Sequence, residues 1–300
     1  MKIITVIVTH NRSQLLSRCI DSLKSQSYLP DEILVVNNGS TDDTSEVIKY
    51  HNVSELKQDN LGSAGGWSAG IEYCIKYNFD ACWLMDDDGF PEKEALRTLK
   101  DNLNDLDACV SSCVLDENDK TSFVFPIPKL NSEKNPILFA TKRKYYSISE
   151  LSDLGNHDYD FAHLFNGALI KSDSIKKIGN VNKNYFIMGD EVDYFYRLRA
   201  AGNVRTILSA KHFHPDVTQR KYSDIKVYYL IKNTIINHNK YFDMSFIRNI
   251  CLVMIVFIRV LKRNGVLYFF KFLFNKNFLL FKAIYSGAKG RVGIDLKILG

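Results

Sequence analysis

The sequence predicts an α/β protein: an open, mainly parallel sheet with helices on both faces, followed by a basic helical region. Three observations carry this. Continuous apolar runs such as IITVIV (3–8) and EILVVNN (32–38) suit strands that are covered on both faces. Segments with apolar residues at helical spacing stand between these runs, in β-α-β-α order. The charge then changes sharply. Residues 246–300 hold ten Lys/Arg and one acid, Asp295, for a sum of +9, whereas the first 245 residues (29 basic, 33 acidic) sum to −4.

The elements follow in order. After IITVIV, Leu15, Leu16, Cys19, Ile20 and Leu23 mark a helix, with Asn11 or Ser13 available as its N-cap. EILVVNN is a second strand, and GSTDDT is a loop that opens a short helix through Val47 and Ile48. VSEL (53–56) is a weak third strand. NLGSAGGWSAG (60–70) reads as a glycine-rich turn leading into a helix with Ile71, Cys74 and Ile75. ACWLM (81–85) is a fourth strand, and PEKEALRTLKDNL (91–103) is a helix with Pro91 in its first turn. ACVSSCVL (108–115), HLFNGALIK (163–171) and VRTILSAKHFHPD (204–216) read as further strands. Residues 184–202 read as an apolar run, a glycine and an acid-started helix ending at Gly202. Residues 116–160 read as loops with short elements. The expected division is a domain over 1–220 and a helical region over 221–300.

Composition narrows the class. With 46% apolar and 24% charged residues, most of the chain folds rather than staying disordered. The opening MKIITVIVTHNR runs directly into a strand and lacks the long apolar region of a signal peptide. The six cysteines are scattered, with no CxxC pair, as expected of reduced cytoplasmic thiols rather than a structural zinc site. In the tail, the longest uncharged apolar run is nine residues, Ile250 to Ile258, whereas a spanning helix needs about 20. Aromatics and leucines interleave there with Arg259, Lys262, Arg263, Lys271, Lys276 and Lys282. That pattern predicts amphipathic helices on an anionic membrane surface. A packed helical subdomain or a dimer interface is the alternative.

The chemistry concentrates at ACWLMDDDGF (81–90). Three adjacent carboxylates repel one another and raise one another's pKa. They stand where an apolar strand ends, and open α/β sheets bind ligands beyond the carboxyl ends of their strands. In an extended segment Asp86 and Asp88 face the same way, with Asp87 facing elsewhere, so the pair can offer oxygens to one Mg²⁺ or Mn²⁺. The alternative is a solvated acidic turn. His212 and His214, two apart on a strand, share a face. Trp67 and Trp83 suit the core or a pocket wall, and Trp67 beside Gly66 is also placed to stack on an acceptor.

TVIVTHNR, ILVVNNGSTDDT, NLGSAGGWSAG and WLMDDDG, in this order and spacing, resemble the inverting glycosyltransferases of family 2 over residues 1–215. NLGSAGG and LMDDDG are most like bacterial galactofuranosyltransferases and their rhamnosyltransferase relatives. The resemblance implies the GT-A fold, a nucleotide-sugar donor, a glycan or lipid-linked acceptor, and a Mn²⁺ or Mg²⁺ cofactor. Thr9, Asn11 and Arg12 would lie along the nucleotide. Asn38 would stand where the family reads the base. Asn60 to Gly66, including Gly62 and Gly65, would form the turn beside the sugar diphosphate, the alternative being a helix-opening turn without a ligand. Asp86 and Asp88 would hold the metal, with Asp87 toward the sugar and His214 or His212 completing the coordination. Asp190-Glu191 matches the family's acidic pair at a helix N-terminus, where the dipole favours an ionised carboxylate. The second member, Glu191, is the expected base, and helix capping is the alternative for both. The implied location is the inner face of a cell membrane, with no nucleic-acid partner. A nucleotidyltransferase would also use paired acids, but TVIVTHNRSQ lacks a glycine-rich basic triphosphate loop. A non-catalytic sugar- or membrane-binding module is the third reading.

Overall fold

A computed structural model describes residues 1–274 and 278–295; Lys276 and residues 296–300 lie outside the described residues. The chain runs β1 (Ile3–Thr9), α1 (Ser13–Lys24), β2 (Glu32–Asn38), α2 (Thr44–Tyr50), β3 (Ser54–Gln58), α3 (Gly62–Lys76), β4 (Ala81–Asp86), β5 (Phe90–Pro91), α4 (Ala95–Asn102) and β6 (Asp107–Asp116). It continues through β7 (Ser122–Pro128), β8 (Lys144–Ser147), α5 (Ile148–Ser152), β9 (Asp158–Tyr159), β10 (Asn166–Lys171), α6 (Ser172–Ile178), α7 (Asp190–Arg199) and β11 (Asn203–His214). Four helices follow: α8 (Asp224–Tyr241), α9 (Ser245–Asn264), α10 (Val266–Leu273) and α11 (Leu279–Ala288).

The main sheet has the order β3-β2-β1-β4-β10-β6-β11-β5. β3, β2, β1 and β4 pair in parallel, β6 and β11 pair in parallel, and β10 runs against both β4 and β6. Strand alternation divides the side chains between two cores. Ile4, Val6 and Val8 of β1 and Cys82 and Leu84 of β4 face α3 and α7. Ile3 and Ile7, with Ala81, Trp83 and Met85, face α1 and α4. This two-sided cover is why these strands are uninterrupted apolar runs.

Three local expectations change. Pro91 does not open a helix: it sits in β5, paired with His212, and α4 starts at Ala95. Neither Asn11 nor Ser13 caps α1. Asn11 takes a left-handed φ of 53° and its side chain accepts the Thr41 N–H, while the free Ser13 N–H donates to Asp42 from the 39–43 loop. The glycine-rich stretch is mostly helix, because α3 begins at Gly62.

The carboxyl-terminal helices build a core of their own from Val227, Ile231, Val256, Phe272 and Leu280. Among the described residues, no helix is long and apolar enough to cross a membrane.

Candidate active site

The site forms where β1, β2, β4 and β11 end and α7 begins. β4 ends at Asp86, and Asp87 and Asp88 lie in the turn after it, so the three acids are not one extended run. Asp87 is buried and turned inward. It accepts from Thr9 Oγ1 at 2.7 Å and from the Arg12 guanidinium at 2.9 Å. Thr9 and Arg12 thus hold a carboxylate in this structure, where the sequence placed them along a nucleotide, and Asp87 faces them where it was placed toward a sugar.

Asp88 is the hub. Its Oδ1 lies 3.0 Å from His214 Nε2, and its Oδ2 accepts from Arg12 and Arg220, each at 3.0 Å. Burial alone would raise its pKa, but the His214 contact and the two guanidiniums outweigh burial and hold it well below the usual carboxylate range. The Asp88 carbonyl accepts from Arg18 at 2.7 Å. Asp86 differs. Its carboxylate has no hydrogen-bond partner among the described residues, and burial, reinforced by Asp88 and Asp87, pushes its pKa well up. A carboxylate pushed up by burial and like charge gains most from a cation beside it.

His214 reaches the acids. Its Nδ1 donates to the Pro215 carbonyl at 2.7 Å, which leaves Nε2 directed at Asp88. His212 is different. It is fully buried, packs against Gly89 and Gly167, and neither ring nitrogen has a partner among the described residues. Burial, with the His214 charge, lowers its pKa to about 3. The shared strand face does not bring both imidazoles to the acids; only His214 arrives. Among the described residues, no three His, Cys, Asp or Glu side chains stand together closely enough to hold a metal ion. Asp88 and His214 are in direct contact, and Asp86 feels the Asp88 charge.

The acidic pair of α7 splits in environment. Glu191 Oε1 accepts the Leu164 N–H at 2.7 Å, and His163 Nδ1 lies 3.8 Å away. Glu191 is near enough for its charge to add to the upward push on Asp86. Asp190 is buried, and its Oδ2 has no partner among the described residues. Burial, with Glu191 next to it, raises its pKa to about 7. For Asp190 the helix N-terminus does not keep the acid ionised, because desolvation outruns the backbone donors.

The donor-side turn is tied up internally. Asn38 Oδ1 accepts from Gln58 and from the Leu61 N–H at 2.8 and 3.1 Å, and its Nδ2 donates to the Gly62 carbonyl at 3.0 Å. Both ends of this amide hold the turn, whereas the family resemblance implied a base-reading role for it. Asn60 Oδ1 accepts the Gly62 N–H. Gly62, at φ +73°, lets the Phe186 carbonyl approach where a side chain would clash. Gly66 lets α3 pack on β1: a Cβ there would meet Val8 Cγ1 at 2.5 Å, and one at Gly65 would meet Leu61. Each of these glycines is required by a close intramolecular contact. Trp67 is buried and stacks on Phe165 with ring centroids 4.4 Å apart, so it is core and not an acceptor platform.

Arg220 and Lys226 went unnoticed in the sequence. Both lie beyond the last strand, and the groups they approach are far away along the chain. The Lys226 pKa is lowered by burial and by the nearby Arg12 and Arg220.

The glycosyl transferase family 2 profile matches residues 4–160 of this chain. The chain belongs to glycosyl transferase family 2. This family 2 chain is 31% identical over 217 residues to galactofuranosyltransferase GlfT1 of Mycolicibacterium smegmatis, covering 70% of each protein. It is 30% identical over 229 residues to GlfT1 of Mycobacterium tuberculosis, covering 71% of this chain and 70% of that one. Among solved structures it is similar to GalNAc-T7 with UDP, GalNAc and Mn²⁺, at a TM-score of 0.60 and 15% identity over 82% of this chain; it spans 49% of that protein's chain. Staphylococcus aureus TarS 1–349 matches at a TM-score of 0.53 and 14% identity, over 92% of this chain and 73% of that one. These similarities show a shared GT-A fold, and the chain is a glycosyltransferase.

Proposed function

We propose that this family 2 chain transfers galactofuranose from UDP-galactofuranose, with inversion, to a glycan or lipid-linked acceptor in bacterial surface polysaccharide assembly. Rhamnose from dTDP-rhamnose is the second donor choice. The carrying observation is the convergence of Asp86, the Asp88–His214 pair and Glu191 at one edge of the sheet. Similarity to GlfT1 supports the donor, at 31% identity.

In this reading Asp86, Asp88 and His214 would hold a divalent cation, with the diphosphate supplying the ligands that these side chains do not. Asp86 offers an unpartnered carboxylate, Asp88 and His214 offer two atoms 3.0 Å apart, and Mn²⁺ or Mg²⁺ accepts such a partial set when phosphates supply the rest. Bound there, the ion would neutralise the charge that develops on the departing diphosphate. Arg12, Arg220 and Lys226 supply fixed positive charge at the same edge. Glu191 holds the acceptor hydroxyl and takes its proton on Oε2, because Oε1 is engaged by the Leu164 N–H. Asp190, protonated for much of its time near neutral pH, spares Glu191 an adjacent full negative charge.

The test is a screen of UDP- and dTDP-sugars with Mn²⁺, scoring nucleoside diphosphate release by wild type and Glu191→Gln. Release with UDP-galactofuranose that is lost in E191Q is the expected result. Pyrophosphate release instead would indicate a nucleotidyltransferase and overturn the reading.

The carboxyl-terminal helices support docking on an anionic membrane. Phe246, Ile250, Met254 and Ile258 recur every four residues of α9 and are exposed, as are Leu267, Phe270 and Phe274. This apolar face lies in the segment that sums to +9. Leu267→Glu with Phe270→Glu is expected to abolish sedimentation with anionic vesicles. Unchanged sedimentation, or loss of a dimer instead, would refute the docking.

A further inference from the structure

The loop that delivers Glu191 is strained. Phe186 (φ 63°), Met188 (φ 63°) and Gly189 (φ 86°) all take positive φ within four residues. Two of these are bulky residues that avoid this region, so the surroundings must impose the shape. α8 does so with two amides one turn apart. Asn233 Nδ2 lies 3.0, 3.0 and 2.8 Å from the carbonyls of Tyr185, Ile187 and Met188. Asn237 Nδ2 donates to the Gly189 carbonyl at 2.8 Å, and its Oδ1 accepts from the Tyr185 hydroxyl at 2.7 Å. Both asparagines are 1% exposed.

Asn233 Oδ1 is buried without a partner among the described residues. A buried, unpaired amide oxygen is destabilising. Leaving it so while the NH₂ is shared by three carbonyls marks donation to this loop as the side chain's role. A turn further along, Lys240 and Tyr241 of α8 bind Asp193 Oδ1 at 2.8 and 2.7 Å, tying the first turn of α7 to the same helix. On its other side the loop meets the donor-side turn. The Phe186 carbonyl accepts the Ala64 N–H at 3.1 Å and presses on Gly62, whose own carbonyl is held by Asn38.

We propose that Asn233 and Asn237 are positioning residues for Glu191: from α8 they lock the 185–189 loop, so that base and donor-side turn share one rigid strut. The proposal rests on the reading of Glu191 as the base. α8, which the sequence assigned to a separate tail region, is then part of the catalytic apparatus.

The test uses the full chain with Asn233→Ala and Asn237→Asp; the second keeps an acceptor for Tyr185 but loses the donor to Gly189. Two readouts are taken: amide hydrogen exchange over 185–193, and kcat and donor KM for nucleoside diphosphate release. Expected are faster exchange confined to 185–193, kcat lowered about tenfold or more, and donor KM within about threefold, as misplacement of a catalytic group produces. If N233A does not fold, N237D carries both readouts. Wild-type exchange at 185–193 in the folded variants refutes the clamp. Faster exchange with unchanged kcat refutes its positioning role. Equal turnover by wild type and E191Q would refute the base reading itself, a result that leaves the exchange data as a separate measure of the clamp.

Discussion

Asp190→Asn gives a sharp physical test, because the asparagine copies the neutral form of a buried acid. The Asp190 pKa rises from 3.8 to about 7 on folding, through burial and the adjacent Glu191. That rise of about three pH units, at about 1.4 kcal/mol each, comes to about 4 kcal/mol as an upper figure. The sign follows from proton counts. Between about pH 4 and 7 the folded chain holds a proton that the unfolded chain has released, so this residue's contribution falls as pH rises. Below pH 4 both states are protonated, and above 7 the whole penalty is present. Asn cannot ionise. D190N is therefore expected to match wild type near pH 4 and to gain on it by about 1.4 kcal/mol per pH unit, levelling off above pH 7. Urea unfolding of both proteins from pH 4 to 8 measures the difference, and the subtraction cancels Asp88, whose depressed pKa acts in the opposite direction. A difference that stays flat with pH would refute the argument. So would a variant that loses stability at pH 8.

Other expectations follow from the same geometry. Gly66→Ala puts a methyl 2.5 Å from Val8 Cγ1 and is expected to destabilise by about 1–3 kcal/mol in urea unfolding, at the helix–strand contact rather than at a ligand. Trp67→Ala removes a buried ring stacked on Phe165 and is expected to cost about 3–5 kcal/mol, with the folded fraction keeping its affinity for UDP by calorimetry; a selective loss of acceptor binding would restore its role as a platform. Arg220→Ala is expected to weaken UDP binding about tenfold while leaving the melting temperature close to wild type, since the side chain is half exposed and, among the described residues, bonds only Asp88.

The sequence by itself determined the frame. Two-sided burial demands unbroken apolar strands, so IITVIV, ILVV and ACWLM announced β1, β2 and β4, and the acids after ACWLM marked the edge where the proposed site lies. Four ordered motifs announced family 2. Local patterns could not assign individual side chains, because the partners that decide them lie far along the chain. Thr9 and Arg12 meet Asp87 across more than seventy residues, and Arg220 meets Asp88 across 132. The packing demands on the glycines of NLGSAGG, set by β1, Leu61 and the Phe186 carbonyl, were likewise invisible to local spacing. His212 and His214 share a strand face, yet only tertiary packing tells the one sealed against Gly89 from the one directed at Asp88. Periodicity reports which face of an element is buried; only the folded chain decides what each buried polar group meets, since those contacts depend on distances that no local spacing encodes.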